Sequence, residues 1–199
     1  MWNRKNARGV KATELVAQLQ RDPEYQRRFA AAEAERQAVA RALREAEQPV
    51  VSDLRAVGVD VSSVWDLVNT SDPYPAALPV LLEHMERGGY PDRVMESLGR
   101  ALAVKPSVAA WERLKALYLA PRSAGEEEGA AVALAACATS AQFDDLARLA
   151  LLESRGPSRI YFVRPLLAVG AEQGRRLVAS LRADETLGKE ASALLAGRE

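Results

Sequence analysis

The chain has 199 residues, 48% of them hydrophobic and 27% charged, with 27 Lys and Arg balanced by 27 Asp and Glu. That length is ample for a sizeable core, and the composition is that of an ordinary globular protein. Zero net charge counts against a dedicated nucleic-acid binder, whose grip depends on neutralising phosphates, and no run approaches the ~18 apolar residues of a bilayer span.

In chain order, the opening "MWNRKNARGVKATELVAQL" is basic but lacks the apolar region of a secretory signal. The cytoplasm is therefore the expected address. The excess of Arg over Lys and the abundance of Ala point to a GC-rich bacterial genome. Thr13 is placed to cap a helix through Gln20, and Asp22-Pro23 reads as an N-cap with proline at the first helical position. From Glu24 to Glu47 neither glycine nor proline interrupts. Tyr25, Phe29, Ala32, Arg36, Val39, Leu43 and Ala46 alternate at spacings of four and three, a heptad seam spoiled at Arg36. Residues 1–48 thus form a helical extension whose segment 24–47 either caps the body or joins two copies as a homodimer. Residues 49–73 read as a helix from Val51 to Val57, a stop at Gly58, a short helix capped by Ser62, and the loop "NTSDPYP".

From residue 74 to 199 the chain repeats itself. "SLGRALAV", "AVALAACA", "VRPLLAVG" and "ASALLAGR" align on Leu102, Leu134, Leu167 and Leu195, at steps of 32, 33 and 28 residues. A preceding helix contributes Leu81, Leu114, Leu146 and Leu177, at steps of 33, 32 and 31. Two series advancing together predict helical hairpins, each unable to bury its apolar face without a neighbour. Within the pairs, Leu81 and Met85 oppose Leu98 and Leu102, and Trp111 and Tyr118 oppose Leu134. Phe143 and Leu146 oppose Ile160, Val163 and Leu167, and Leu177 and Leu181 oppose Leu187 and Leu195. Turns are expected at "RGGYPD", "APRSAGEEEG", "SRGPS" and "RADETLG". The fold class is all-α, an α-solenoid of about four hairpins with an N-terminal helical extension.

In "YPAALPVLLEHMERGGYPDRVMESLGRALAV" and "GRRLVASLRADETLGKEASALLAG" the chain resembles the bacterial HEAT-like repeat proteins, including the short-repeat type of the phycobilisome lyases. The acidic turn at Asp184 and Glu185, the small-residue ending, and the helix-internal Pro79 and Pro165 carry the likeness, over about residues 74–197. It implies a non-enzymatic protein–protein interaction module, an adaptor or scaffold with another protein as partner. Two alternatives share the fold: a nucleic-acid module resembling the DNA alkylation repair proteins, and a lyase-like chaperone.

No catalytic constellation emerges, and no cofactor is implied. His84 is the only histidine and Cys137 the only cysteine, so one chain cannot assemble a histidine metal site, a two-histidine relay, a disulfide or a thiolate cluster. His84 reads as a satisfied or solvent-facing side chain, and Cys137 as a small buried hydrophobe. Asp144-Asp145 reads as helix capping, Glu126 to Glu128 as a solvated turn, and "ERGGYPD" as lacking the strand that a phosphate cradle follows. One stretch stands apart. In "SRIYFVRP", Tyr161 and Phe162 fall off the Ile160–Val163–Leu167 face, flanked by Arg159 and Arg164. Aromatic rings beside arginine make interaction hot spots, whereas a wide inner stripe would instead bury both rings. With Arg93 and Arg100 on the equivalent helix of the first pair, these six residues form the candidate partner-binding surface.

Overall fold

The computed structural model describes residues 19–197. The helix expected from Thr13 lies largely outside the described residues. Every regular element described is helical, and no strand occurs among the described residues. The chain divides into two compact units between Ala42 and Leu43.

The first helix, α1 (Pro23–Ala56), starts where the sequence places it. Asp22 caps it, its Oδ1 accepting from the amides of Glu24 (2.9 Å) and Tyr25 (3.2 Å). The separate helix expected after Glu47 is not separate, since α1 continues through Pro49. An internal proline forfeits one backbone hydrogen bond, but Val50, Val51 and Leu54 on the following turn are 0%, 1% and 0% exposed, and that burial carries the helix across. The helix ends at Gly58 as expected. With φ at 83°, Gly58 donates to the Arg55 carbonyl, and Val59 donates to that of Leu54, a Schellman closure.

The second unit continues with α2 (Trp65–Val68), α3 (Ala77–Arg87), α4 (Asp92–Ala101), α5 (Trp111–Leu119), α6 (Ala124–Cys137), α7 (Phe143–Ala150), α8 (Ile160–Val169), α9 (Ala171–Ser180) and α10 (Gly188–Ala196). Short 3₁₀ turns lead into α5, α7 and α8 and follow α9. The cap expected from Ser62 is supplied otherwise: Glu47 on α1 accepts from the Val64 amide at 2.8 Å, and Ser63 Oγ from the Trp65 amide.

Packing follows the expected pairs. α3 lies against α4, α5 against α6, α7 against α8, and α9 against α10. The second helices also meet in order, α4 with α6, α6 with α8, and α8 with α10. Six of the eight leucine anchors are core: Leu81, Leu114, Leu134 and Leu146 are 0% exposed, Leu102 1% and Leu167 7%, while Leu177 and Leu195 of the last pair are only partly buried. Each core anchor contributes roughly 1.5–3 kcal/mol relative to exposure.

One stretch expected as a turn is helix. Glu126 to Glu128 lie in the first turns of α6, which Ser123 caps by accepting from the Glu126 amide. The flanking glycines serve helix contact, not a loop. A Cβ on Gly125 would stand 2.2 Å from the Asp92 carbonyl oxygen, and one on Gly129 would stand 2.8 Å from that of Met95. Glycine there lets α6 lie directly on the α4 backbone.

Polar links repeat at the same spacing as the leucines. Arg122 donates to the Met85 and Arg87 carbonyls at the end of α3 (3.0 and 3.1 Å), and Arg155 to the Leu119 carbonyl at the end of α5 (3.1 Å). Each arginine satisfies orphan carbonyls of the first helix in the preceding pair. Lys105, at the start of the turn into α5, donates to the Ala138 carbonyl at the end of α6 in its own pair (3.0 Å).

Candidate partner-binding face

The exposed side of α4, α6 and α8 carries a continuous polar ladder. On α4, Arg93, Glu96 and Arg100 fall at spacings of three and four, which places them on one helix stripe. Arg93 Nη1 donates to Glu96 Oε2 at 3.0 Å, and Arg100 Nε to Glu96 Oε1 at 2.8 Å. Arg100 Nη2 then reaches Glu128 Oε1 on α6 at 3.3 Å, and the Tyr161 hydroxyl on α8 donates to the same oxygen at 2.5 Å. At the outer end the Arg93 guanidinium sits 5.7 Å from the Trp65 ring centroid, within cation–π range. Burial opposes the charge on Arg100, yet the Glu96 and Glu128 carboxylates hold its pKa above the ordinary value. Burial and the Glu128 carboxylate raise the Tyr161 phenol.

Two clefts open beside this ladder. One, of about 530 Å³, lies between α6 and α8, floored by Val132, Ala135 and Ala136 and walled by Ile160, Tyr161 and Arg164. The other, of about 520 Å³, lies between the loop before α3 and the end of α4, lined by Leu67, Tyr74, Leu78 and Arg100. Both volumes are in the range of ligand and peptide pockets. The Arg100–Glu128–Tyr161 bridge runs from one to the other. Proline at 165 has no N–H to offer the Tyr161 carbonyl one turn earlier, so α8 carries a loosened backbone acceptor beside the first cleft.

Four of the six expected residues, Arg93, Arg100, Tyr161 and Arg164, belong to this face. Two do not. Phe162 is 0% exposed and meets Tyr118 edge-on, ring centroids 5.1 Å apart. Arg159 is 3% exposed, held by Asp184 (3.0 Å) and by the Ala150 carbonyl (3.1 Å). The buried stripe of α8 is Phe162, Val163, Leu166 and Leu167, which leaves Ile160 40% exposed, not core-facing as expected. The helix is rotated because α6, α7 and α9 all pack on it. Glu96 and Glu128 were not among the expected residues. The spacing of Arg93, Glu96 and Arg100 contained the signal for the first, while the misplaced start of α6 concealed the second.

The remaining candidates lie in the second unit. His84 is 1% exposed and satisfied on both nitrogens, Nδ1 by the Tyr90 hydroxyl (2.6 Å) and Nε2 by Asp53 Oδ2 (2.9 Å). Cys137 is fully buried, and burial pushes its thiol up to about 11. Asp144 and Asp145 lie in the first turn of α7 as expected, without a capping hydrogen bond, and Asp145 also accepts from Trp111 Nε1 (2.9 Å) and Lys115 Nζ (2.8 Å) on α5. Glu126, expected in solvent, is 1% exposed and paired with Arg122. Glu127 accepts from the Ser158 hydroxyl at 2.6 Å. Among the described residues, no group of three or more His, Cys, Asp and Glu side chains is placed to hold a metal, and no helix is long and apolar enough to cross a membrane. No family model, curated protein or solved structure matches the chain.

Proposed function

We propose that residues 74–197 form a solenoid of four HEAT-like hairpins, and that the chain is a non-enzymatic interaction module whose protein partner meets the second-helix face. The pairing order of α3 to α10, the successive contacts of the second helices, and the equivalent cross-links of Arg122 and Arg155 support the architecture. One observation carries the function: two apolar clefts on a single face, joined by Arg100, Glu128 and Tyr161 and edged by the exposed Ile160. The ladder also weighs against the nucleic-acid reading, because Arg93 and Arg100 are each spent on a glutamate.

The test is partner capture from native lysate, measured together with melting temperature, for Tyr161→Ala and Arg164→Ala. Lost capture by Arg164→Ala, a change at an exposed position, with unchanged melting supports the reading. Capture that survives both substitutions places the partner elsewhere. A gel shift by these same arginines on duplex or single-stranded DNA, steep in salt, would favour the nucleic-acid alternative.

A further inference from the structure

We propose that α1 joins two copies of this chain as an antiparallel helix pair, crossing between Ala30 and Ala31. Over residues 23–42 not one side chain is buried, and Phe29 and Val39 are 53% and 55% exposed. Leu43 and Ala46, at the end of the seam, are half-buried against the core of the second unit. The open part of the seam is Tyr25, Phe29, Ala32, Arg36 and Val39. Its 4–3 alternation is the period of a helix that winds on another helix. In proteins most of a helix's stability comes from packing its apolar stripe rather than from intrinsic propensity.

What identifies the occupant is that the seam complements itself. One end is aromatic: Tyr25 and Phe29 stack with ring centroids 6.2 Å apart, bordering a hollow of about 280 Å³ shared with Leu19. The other end is small and cationic, Ala32 followed by Arg36. With two copies antiparallel about the Ala30–Ala31 midpoint, Phe29 rests on the partner's Ala32, and Tyr25 meets the partner's Arg36, twice over by symmetry. Large then fills small, and a guanidinium lies over an aromatic ring, as Arg36 already does 6.0 Å from the centroid of its own Phe29.

The flanking charges select the same register. Arg28 and Glu35 are exposed and make no ion pair among the described residues. In this arrangement each Arg28 faces the partner's Glu35, and Gln26 faces the partner's Glu33. Sliding one helix by a heptad, to a crossing at Ala34, sets Glu33 against Glu33 and Glu35 against Glu35. A parallel pair in register stacks Arg36 on Arg36 and leaves Ala32 opposite Ala32. Only the first arrangement opposes no like charges and sets each ring on a small or cationic partner, with Val39 falling opposite the partner's Asp22 at the end of the overlap.

Light scattering and sedimentation over a dilution series test this on the full chain. The expected mass is twice the 21.6 kDa of one chain, and a monomer throughout the series overturns the proposal. Arg28→Glu should weaken the dimer on the order of tenfold or more, leaving helicity and melting of the monomer unchanged because the residue is exposed. The paired change R28E with E35R should restore it. Positions 28 and 35 are two helical turns apart, so the rescue cannot arise within one helix. Rescue by E33R instead marks a parallel pair and overturns the register, as does a dimer indifferent to R28E.

Discussion

Gly99 and Gly129 meet backbone to backbone: a Cβ built on Gly99 would stand 2.2 Å from the Cα of Gly129. Where α4 crosses α6 there is no side chain to move aside, so a methyl group must separate two helices. Gly99→Ala is expected to cost about 3 kcal/mol, the upper part of the usual overpacking range. Gly89→Ala is a useful contrast. That position opens onto free space, and its cost, about 1 kcal/mol, comes from holding alanine at a φ of 81°. Urea denaturation of the two variants should separate crowding from backbone strain.

Neighbouring rings on α8 should behave oppositely. Phe162 is fully buried against Tyr118, and Phe162→Ala is expected to cost 3–5 kcal/mol, roughly the range for aromatic truncation in a core. Tyr161 is only half-buried, and its hydroxyl bonds to Glu128. Tyr161→Phe should lower stability by about 1 kcal/mol or less, since water can replace the lost partner at this edge. Thermal melts of both variants check the order, and equal losses would mean that the hydroxyl bond to Glu128 is worth as much as the buried Phe162 ring.

These two rings also mark how far the sequence was legible. The leucines recurring every 28 to 33 residues, the Asp22 cap, the Gly58 stop and the four helix pairings could all be read, because each depends on local chemistry or on repetition. The phase of α8 could not. A ten-residue helix packed by neighbours on several sides has a stripe so wide that Ile160 and Phe162 are equivalent by periodicity, and only the packing of α6, α7 and α9 decides between them. The start of α6 was hidden for a different reason. Gly125 and Gly129 carry the composition of a loop, yet they serve a close helix contact, and that shifted Glu126 to Glu128 from solvent to a chain of ion pairs. On the candidate face, Arg100 and Tyr161 were visible as residue types, but the Glu128 that joins them was not.

Cys137 should be silent toward thiol reagents in the native state. Its side chain is fully buried at the end of α6 and its thiol is pushed up to about 11, so both access and thiolate fraction are lacking near neutral pH. Labelling should proceed only through unfolding, which makes its rate a measure of opening of the α5–α6 pair. Rapid labelling of the folded protein by an aromatic disulfide at neutral pH would contradict this.

Acid should unfold the protein through a small set of paired carboxylates, with Asp184 the clearest. Backbone amides of Leu187 and Thr186 and the buried Arg159 guanidinium hold it below its ordinary value of 3.8, and Lys115 and Trp111 do the same for Asp145. A carboxylate whose folded pKa is depressed contributes stability that is complete above its unfolded value and is lost as pH falls through the folded one. Stability should therefore be flat across neutral pH and decline below about pH 4. Asp184→Asn removes the charge at every pH and strands Arg159, which is only 3% exposed. Breaking one side of a buried pair costs about 3–5 kcal/mol. That deficit should be full near neutrality and shrink toward about pH 2–3, where the parent protein has also lost the Asp184 charge. Urea midpoints of parent and variant, followed down the acid limb, check it. A gap that stays constant to the acid end would mean that the deficit does not arise from the Asp184 charge, and no gap at any pH would mean that the Ala150 and Gly156 carbonyls alone hold Arg159.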